Sequence, residues 1–173
     1  MTINGTPRLL LRELNPQDAP FILELLNGAE FLRFIGDKGV KTLQDARDYI
    51  RKGPIDSYVH NGFGLYAACL RDGTPLGICG LVKRDGLNDP DLGFAFLERH
   101  RSKGYALESS RAVLEHGRNV LHLKRILAIT TPDNHRSIAL LEKAGFKFER
   151  MIRLSEGAEE LKLFGWALHG DTQ

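Results

Sequence analysis

The hexapeptide Arg101-Ser102-Lys103-Gly104-Tyr105-Ala106 constrains this chain more than any other stretch, because of what flanks it. Before it runs the apolar segment Leu92-Gly93-Phe94-Ala95-Phe96-Leu97, and after it residues 105 to about 120 carry helical periodicity. A strand passing through a short glycine-containing turn into a helix is a joint of a mixed α/β sheet. Such a joint aims backbone N–H groups and the positive end of a helix dipole at one point, which suits a phosphate. Arg101 and Lys103 add side-chain charge beside that point.

The rest of the chain divides by apolar periodicity and turn residues. Residues 8–14 read as a first strand, ended by Asn15-Pro16, where Asn15 caps a helix and Pro16 occupies its first turn. Phe21/Leu25 and Ile22/Leu26 repeat four apart, and the stripe ends near Asn27-Gly28. Thr42 caps a second helix with Asp45 in its first turn and Ala46, Tyr49 and Ile50 on one face. Gly53-Pro54 is expected to break or kink that helix, and Asn61-Gly62 to close the helical region. Residues 64–70 and 75–82 flank Arg71-Asp72-Gly73-Thr74, a strong hairpin signal. Residues 91–97 form a further strand, and the nearly all-apolar residues 125–131 predict a central one. Pro132-Asp133-Asn134 opens a helix with Ile138, Leu141 and Ala144 on one face, stopped by Gly145. Residues 146–154 and 161–168 read as a closing pair of strands. The predicted order is β-α-α-β-β-β-α-β-α-β-β.

At 173 residues with 42% hydrophobic content, the chain is long enough to bury its own core, and residues 1–173 are expected to form one domain. A net charge of +2 and a sequence pI near 8.6 lack the concentrated basic character of nucleic-acid binders, so no such partner is expected. No run of about 18 apolar residues occurs, and Met1-Thr2-Ile3-Asn4-Gly5 has no signal-peptide character, so no membrane association is expected. Cys69 and Cys79 lie in apolar runs and read as buried free thiols of a cytoplasmic protein. The histidines carry no metal-ligand spacing, and no metal is expected.

Arg101-x-x-Gly104-x-Ala106 after a strand, followed downstream by Asn134-x-x-Ser137-x-x-x-Leu141-Glu142-Lys143-x-Gly145-Phe146, resembles the two signature blocks of the GNAT N-acetyltransferases. Either block alone is a weak signal; together, in this order and context, they are specific. The likeness runs from about Thr6 to His169. It is similar to the branch holding the ribosomal-protein alanine N-acetyltransferases at Gly62-Phe63-Gly64-Leu65-Tyr66, Ile78-Cys79-Gly80-Leu81 and Phe94-Ala95-Phe96-Leu97. The resemblance implies acetyl transfer from acetyl-CoA, as co-substrate, to a primary amine such as a protein N-terminus, by direct attack in a ternary complex. It also implies a central strand splayed at its end, where a backbone N–H within Phe96-Leu97-Glu98 meets the oxyanion and the pantetheine arm pairs like an added strand. Carried over position by position, the cofactor contacts are Phe96, Leu97, Glu98, Arg101, Ser102, Lys103, Gly104, Tyr105, Ala106, Asn134 and Ser137. Many members carry a tyrosine, thought to protonate the leaving thiolate, where this chain has Leu141. Ser137, one turn earlier, and a bound water are the two candidates for that role.

The attacking amine must also lose a proton. An α-amine near pKa 8 needs little help at pH 7, whereas a lysine near 10.4 needs much more. Glu98 is the leading candidate base, with Asp91, Glu149 and Glu160 as others. Each assignment has a plainer competitor: Glu98 as a solvated strand-end carboxylate, Asn134 as a helix cap, Ser137 as a capping partner, Tyr105 and Phe146 as core. Glu156, Glu159 and Glu160 form an acidic rim that either draws a cationic amine or keeps the closing hairpin from aggregating.

A different class of reading is a non-catalytic acyl-CoA-binding module that keeps the turn but has lost its acid and base. A dinucleotide-binding domain is disfavoured, since no GxGxxG follows the first strand. Acceptor choice falls to the segments around residues 27–42 and 155–160, and the chain is expected to act as a monomer or homodimer.

Overall fold

The computed structural model describes residues 2–167, so the expected reach of the last strand to Leu168 and of the likeness to His169 lies outside the described residues. Strands β1 (Thr2–Gly5), β2 (Leu9–Glu13), β3 (Leu65–Leu70), β4 (Pro75–Val82), β5 (Asp91–Phe96), β6 (Arg125–Thr130), β7 (Lys147–Ile152) and β8 (Leu161–Ala167) build one sheet in the order β1-β2-β3-β4-β5-β6-β8-β7. Only β5 and β6 pair in parallel; the other neighbours are antiparallel. That one parallel pair needs a crossover, and helix α5 (Tyr105–Asn119) supplies it. The mixed α/β sheet and an interior β6 agree with the sequence.

Helices α1 (Ala19–Leu26), α2 (Ala29–Phe34) and α3 (Leu43–Ile50) cover one face of the sheet, and α5 and α6 (His135–Lys143) the other. The period of β5 separates the two cores: Leu92, Phe94 and Phe96 pack with Ala112 and Val113 of α5, whereas Ala95 and Leu97 pack with Ile22, Leu25 and Ile50. Both expected caps form: Asn15 with Asp18, and Thr42 with Asp45, each make reciprocal capping boxes. The β3–β4 hairpin turns at Gly73 with φ +95°, and Thr74 N–H donates to Asp72 Oδ1 at 2.9 Å. Among the described residues no helix is long and apolar enough to cross a membrane.

Three features depart from expectation. Strand β1 precedes the expected first strand. Residues 29–34, expected as loop, form α2, capped by the backbone of Gly28 without any side-chain hydrogen bond. Gly53-Pro54 does not break the second helix. The chain widens into a π-helical stretch (Arg51–Ile55), where the Asp56 N–H reaches back to Arg51 O, and continues into α4 (Asp56–Asn61). The wider turn makes room for a proline that has no N–H and a bulky ring. Gly62, at φ +76°, then ends α4 as expected.

A glycine of β4 gives a stability prediction. A Cβ on Gly77 would lie 2.4 Å from Ala95 O and 2.6 Å from the Phe96 ring, so Gly77→Ala is expected to destabilise by about 1–3 kcal/mol. The urea midpoint at unchanged slope measures it; an unchanged or raised midpoint would contradict the packing described for Gly77.

Candidate functional site

The parallel pair β5–β6 is joined at one register point, Asp91 with Leu127, where Leu127 N–H also donates to Pro90 O at 2.9 Å. Beyond it the two strands diverge, β6 pairing onward with β8 and β5 with β4. Leu97 N–H donates to Leu76 O at 3.0 Å, so the odd-numbered residues of β5 direct their backbone groups to β4. By the alternation of an antiparallel ladder, Phe94 and Phe96 turn theirs into the gap left by β6. An extended group entering there meets a ready-made strand edge.

At the open end of the gap, Glu98–His100 make a single 3-10 turn and the chain bends into α5. Ser102 at φ +62° and Gly104 at φ +83° are both left-handed, two such residues within three positions, the pattern of an anion-binding concavity. Alpha-5 then starts with no side-chain cap, leaving its first N–H groups to other partners. Arg8 locks this turn from the start of β2. Its Nη1 donates to Lys103 O at 2.8 Å, its Nε pairs with Glu108 at 3.2 Å, and its guanidinium lies 4.6 Å from the Tyr105 ring centroid. Nothing local in the sequence marks Arg8, which acts across 95 residues on Lys103.

The structure brings the predicted residues into this neighbourhood with differing surroundings. Ser102, Lys103 and Gly104 are exposed, Tyr105 and Ala106 half-buried, Phe96 and Leu97 buried. Arg101 is drawn under α2, where Glu30 holds it at 3.1 Å and also reaches Arg136 at 3.5 Å. Arg33 and Asp133, at 3.7 Å, tie α2 to the turn before α6. The sequence missed these contacts together with α2 itself. Asn134 caps α6 by accepting from Ser137 N–H at 3.2 Å, while the half-buried Ser137 hydroxyl has no hydrogen-bond partner among the described residues. Leu141 is 1% exposed and Phe146 is buried, both core.

The four candidate carboxylates separate clearly. Asp91 is buried against Arg84, whose Nε donates to both its oxygens at 3.0 and 3.1 Å; burial, outweighing Arg84, pushes its carboxyl above the usual carboxylate range. Glu149 is paired with Arg125, and Glu160 with Arg153 at 3.4 Å. Glu98 is exposed and, among the described residues, has no ion-pair partner. It lines a cavity of about 420 Å³ with Leu97, Arg99, Glu24 and Gly28, between the end of β5 and α1.

Comparison with known proteins agrees with this geometry. The Acetyltransferase (GNAT) domain family matches residues 8–147. The uncharacterized N-acetyltransferase YnaD of Bacillus subtilis is 30% identical over 149 residues, spanning 86% of this chain and 84% of that protein. The acetyltransferase of Agrobacterium tumefaciens shares the fold, with a TM-score of 0.81 at 22% identity over 96% of this chain and 94% of that one. So does RimL, a ribosomal-protein α-N-acetyltransferase solved with coenzyme A, with a TM-score of 0.84 at 16% identity over 96% of this chain and 98% of that one. A strand gap opening onto an uncapped helix start, in a chain matched by this family over most of its length, leads to one conclusion: the protein belongs to the GNAT family and is an acetyl-CoA-dependent acyltransferase.

Proposed function

We propose that the protein acetylates a primary amine, with a protein N-terminal amine as the preferred kind, and that residues 1–173 act as one domain in the cytoplasm. The reading is carried by the gap between β5 and β6 standing directly before the turn at residues 101–106. In it, the diphosphate of acetyl-CoA rests on the turn, held by backbone N–H groups of residues 102–106 with Lys103 beside them, and Arg101 once it leaves Glu30. The pantetheine arm lies along Phe94 and Phe96, and Asn134 and Ser137 border it from α6. Buried free Cys69 and Cys79 support a reducing compartment.

In the reaction, the amine nitrogen attacks the thioester carbonyl carbon and the C–N bond forms. The carbonyl electrons shift to oxygen, where a strand N–H in the gap stabilises them, and return as the C–S bond breaks. An amine that arrives as ammonium first gives a proton to Glu98, the unpaired candidate, and once the C–N bond has formed the nitrogen sheds a second proton to water. Leu141 has no proton to give, and the departing thiolate takes its proton from the Ser137 hydroxyl, which regains one from water. Its backbone, not its side chain, serves the helix cap, so removing the hydroxyl leaves the cap intact.

The test is thiol release from acetyl-CoA with a panel of peptide N-termini, polyamines and lysine peptides. Turnover is expected to favour N-terminal amines. Ser137→Ala is expected to lower kcat at least tenfold with the acetyl-CoA Kd within about twofold of wild type. Equal rates would transfer the role to water.

A further inference from the structure

The end of β5 away from the cofactor turn carries an arrangement that acetyl transfer itself does not use. Asp91, 1% exposed, opens β5 on the face shared with Ala95 and Leu97, the face covered by α1 and α3. Arg84, after β4, grips it with Nε alone. Its two terminal nitrogens make no hydrogen bond to any described residue, and its side chain is 35% exposed. A guanidinium pinned by Nε on a buried carboxylate presents a rigid outward fork, the geometry that takes a second carboxylate in two parallel bonds. A second cation stands close. Lys38, from the segment between α2 and α3, is exposed as a residue, yet partial desolvation and the charge of Arg84 lower its ammonium pKa. It forms no ion pair among the described residues. Tyr49 of α3 also faces the Arg84 charge.

From Asp91 the same face of β5 continues over Gly93 and Ala95, both small and only partly covered, towards Leu97 and Glu98. Residues two apart on a strand face are about 7 Å apart, so Leu97, beside Glu98, lies on the order of 20 Å from Asp91. We propose that Arg84, anchored by Asp91 and flanked by Lys38, docks a carboxylate of the acceptor, so that preferred acceptors carry one on the order of 15–20 Å from the reactive amine. An acidic side chain near the fifth position of an extended peptide meets that spacing. The proposal deepens the amine-acetylation reading and rests on it. Asp91 acts through Arg84 and is a positioning residue. Of these residues, Lys38 lies in the segment 27–42 expected to set acceptor choice.

The experiment compares C-terminally amidated peptides Ala-Gly-Gly-Gly-X, with X as Glu, Gln or Lys, in the thiol-release assay, together with Ala-Gly-Gly-Gly-Gly bearing a free or amidated C-terminus. KM for the Glu peptide is expected to be about tenfold or more below that for the Gln peptide, with the Lys peptide poorest. A gain restricted to the Glu peptide assigns the carboxylate to a side chain; an equal gain for free Ala-Gly-Gly-Gly-Gly assigns it to a chain end. Arg84→Lys keeps a cation for Asp91 but has no fork, and Lys38→Glu reverses charge at an exposed position. Both are expected to bring the Glu-to-Gln ratio towards one, while the thermal shift given by acetyl-CoA persists and certifies the fold. A ratio of one in wild type, or a ratio kept by both variants, overturns the proposal. No release with any amine would instead overturn the reading beneath it.

Discussion

Acetyl-CoA at about 100 times its Kd should stabilise the protein by about 2.7 kcal/mol, a rise in Tm of roughly 5–11 °C for a chain of this size, and Gly104→Asp should abolish it. Gly104 is the residue before α5, with φ +83° and no cap between it and the helix dipole. A carboxylate there stands where the diphosphate is proposed to rest, and repels it within the same set of N–H groups. The change also strains the backbone, since a side chain at this φ costs about 1 kcal/mol. A Cβ at Gly104 would lie 3.2 Å from Arg8 Nη2, so the new carboxylate gains an ionic partner that offsets part of the strain.

Gly104→Asn separates the two effects, because it brings the same bulk and the same φ without charge. The Asn variant is expected to keep a reduced shift and the Asp variant none. Differential scanning fluorimetry, with each variant's own Tm as baseline, reads the difference. An undiminished shift in Gly104→Asp would place the cofactor away from this turn.

That turn was legible because everything defining it is local: an apolar run, a glycine at the bend, a helical repeat after it. The same holds for the hairpin at Asp72-Gly73 and the caps at Asn15 and Thr42, where a side chain meets its own backbone two or three residues away. Other features arise from contacts that no window of sequence contains. Arg8 reaches the turn from β2, and Glu30 reaches Arg101 and Arg136 from a helix of six residues with no side-chain cap. Helix α2 is too short to show a periodic stripe, and it is held by those ion pairs and by buried Phe31. Of the break or kink expected at Gly53-Pro54, the break does not occur, because proline ends helices when its neighbours keep the α-helical pattern and here the pattern widens. The candidate bases could not be ranked by residue type either. Three of the four are set apart by an arginine, and Arg84, Arg125 and Arg153 find them only in the folded sheet.

Glu98→Gln should lower kcat/KM on the order of 100-fold at pH 7, and the loss should fade as pH rises. Glu98 is exposed and unpaired, so the isosteric amide should leave stability within about 0.5 kcal/mol and the acetyl-CoA shift unchanged. The pH dependence follows from the acceptor. An N-terminal amine with a pKa near 8 is about one-tenth neutral at pH 7 and almost wholly neutral near pH 9.5. Glu98 matters while the amine must shed a proton before it can attack; the proton lost after attack leaves an acidic ammonium adduct and passes to water in wild type and variant alike. The ratio of wild-type to Glu98→Gln rates should therefore fall from about 100 at pH 7 to below about threefold near pH 9.5 for an α-amine. For a lysine amine, with pKa near 10.4, the same ratio should remain large at pH 9.5. A ratio constant across this range would make Glu98 a group that orients the acceptor, and a ratio of one throughout would leave the proton to solvent.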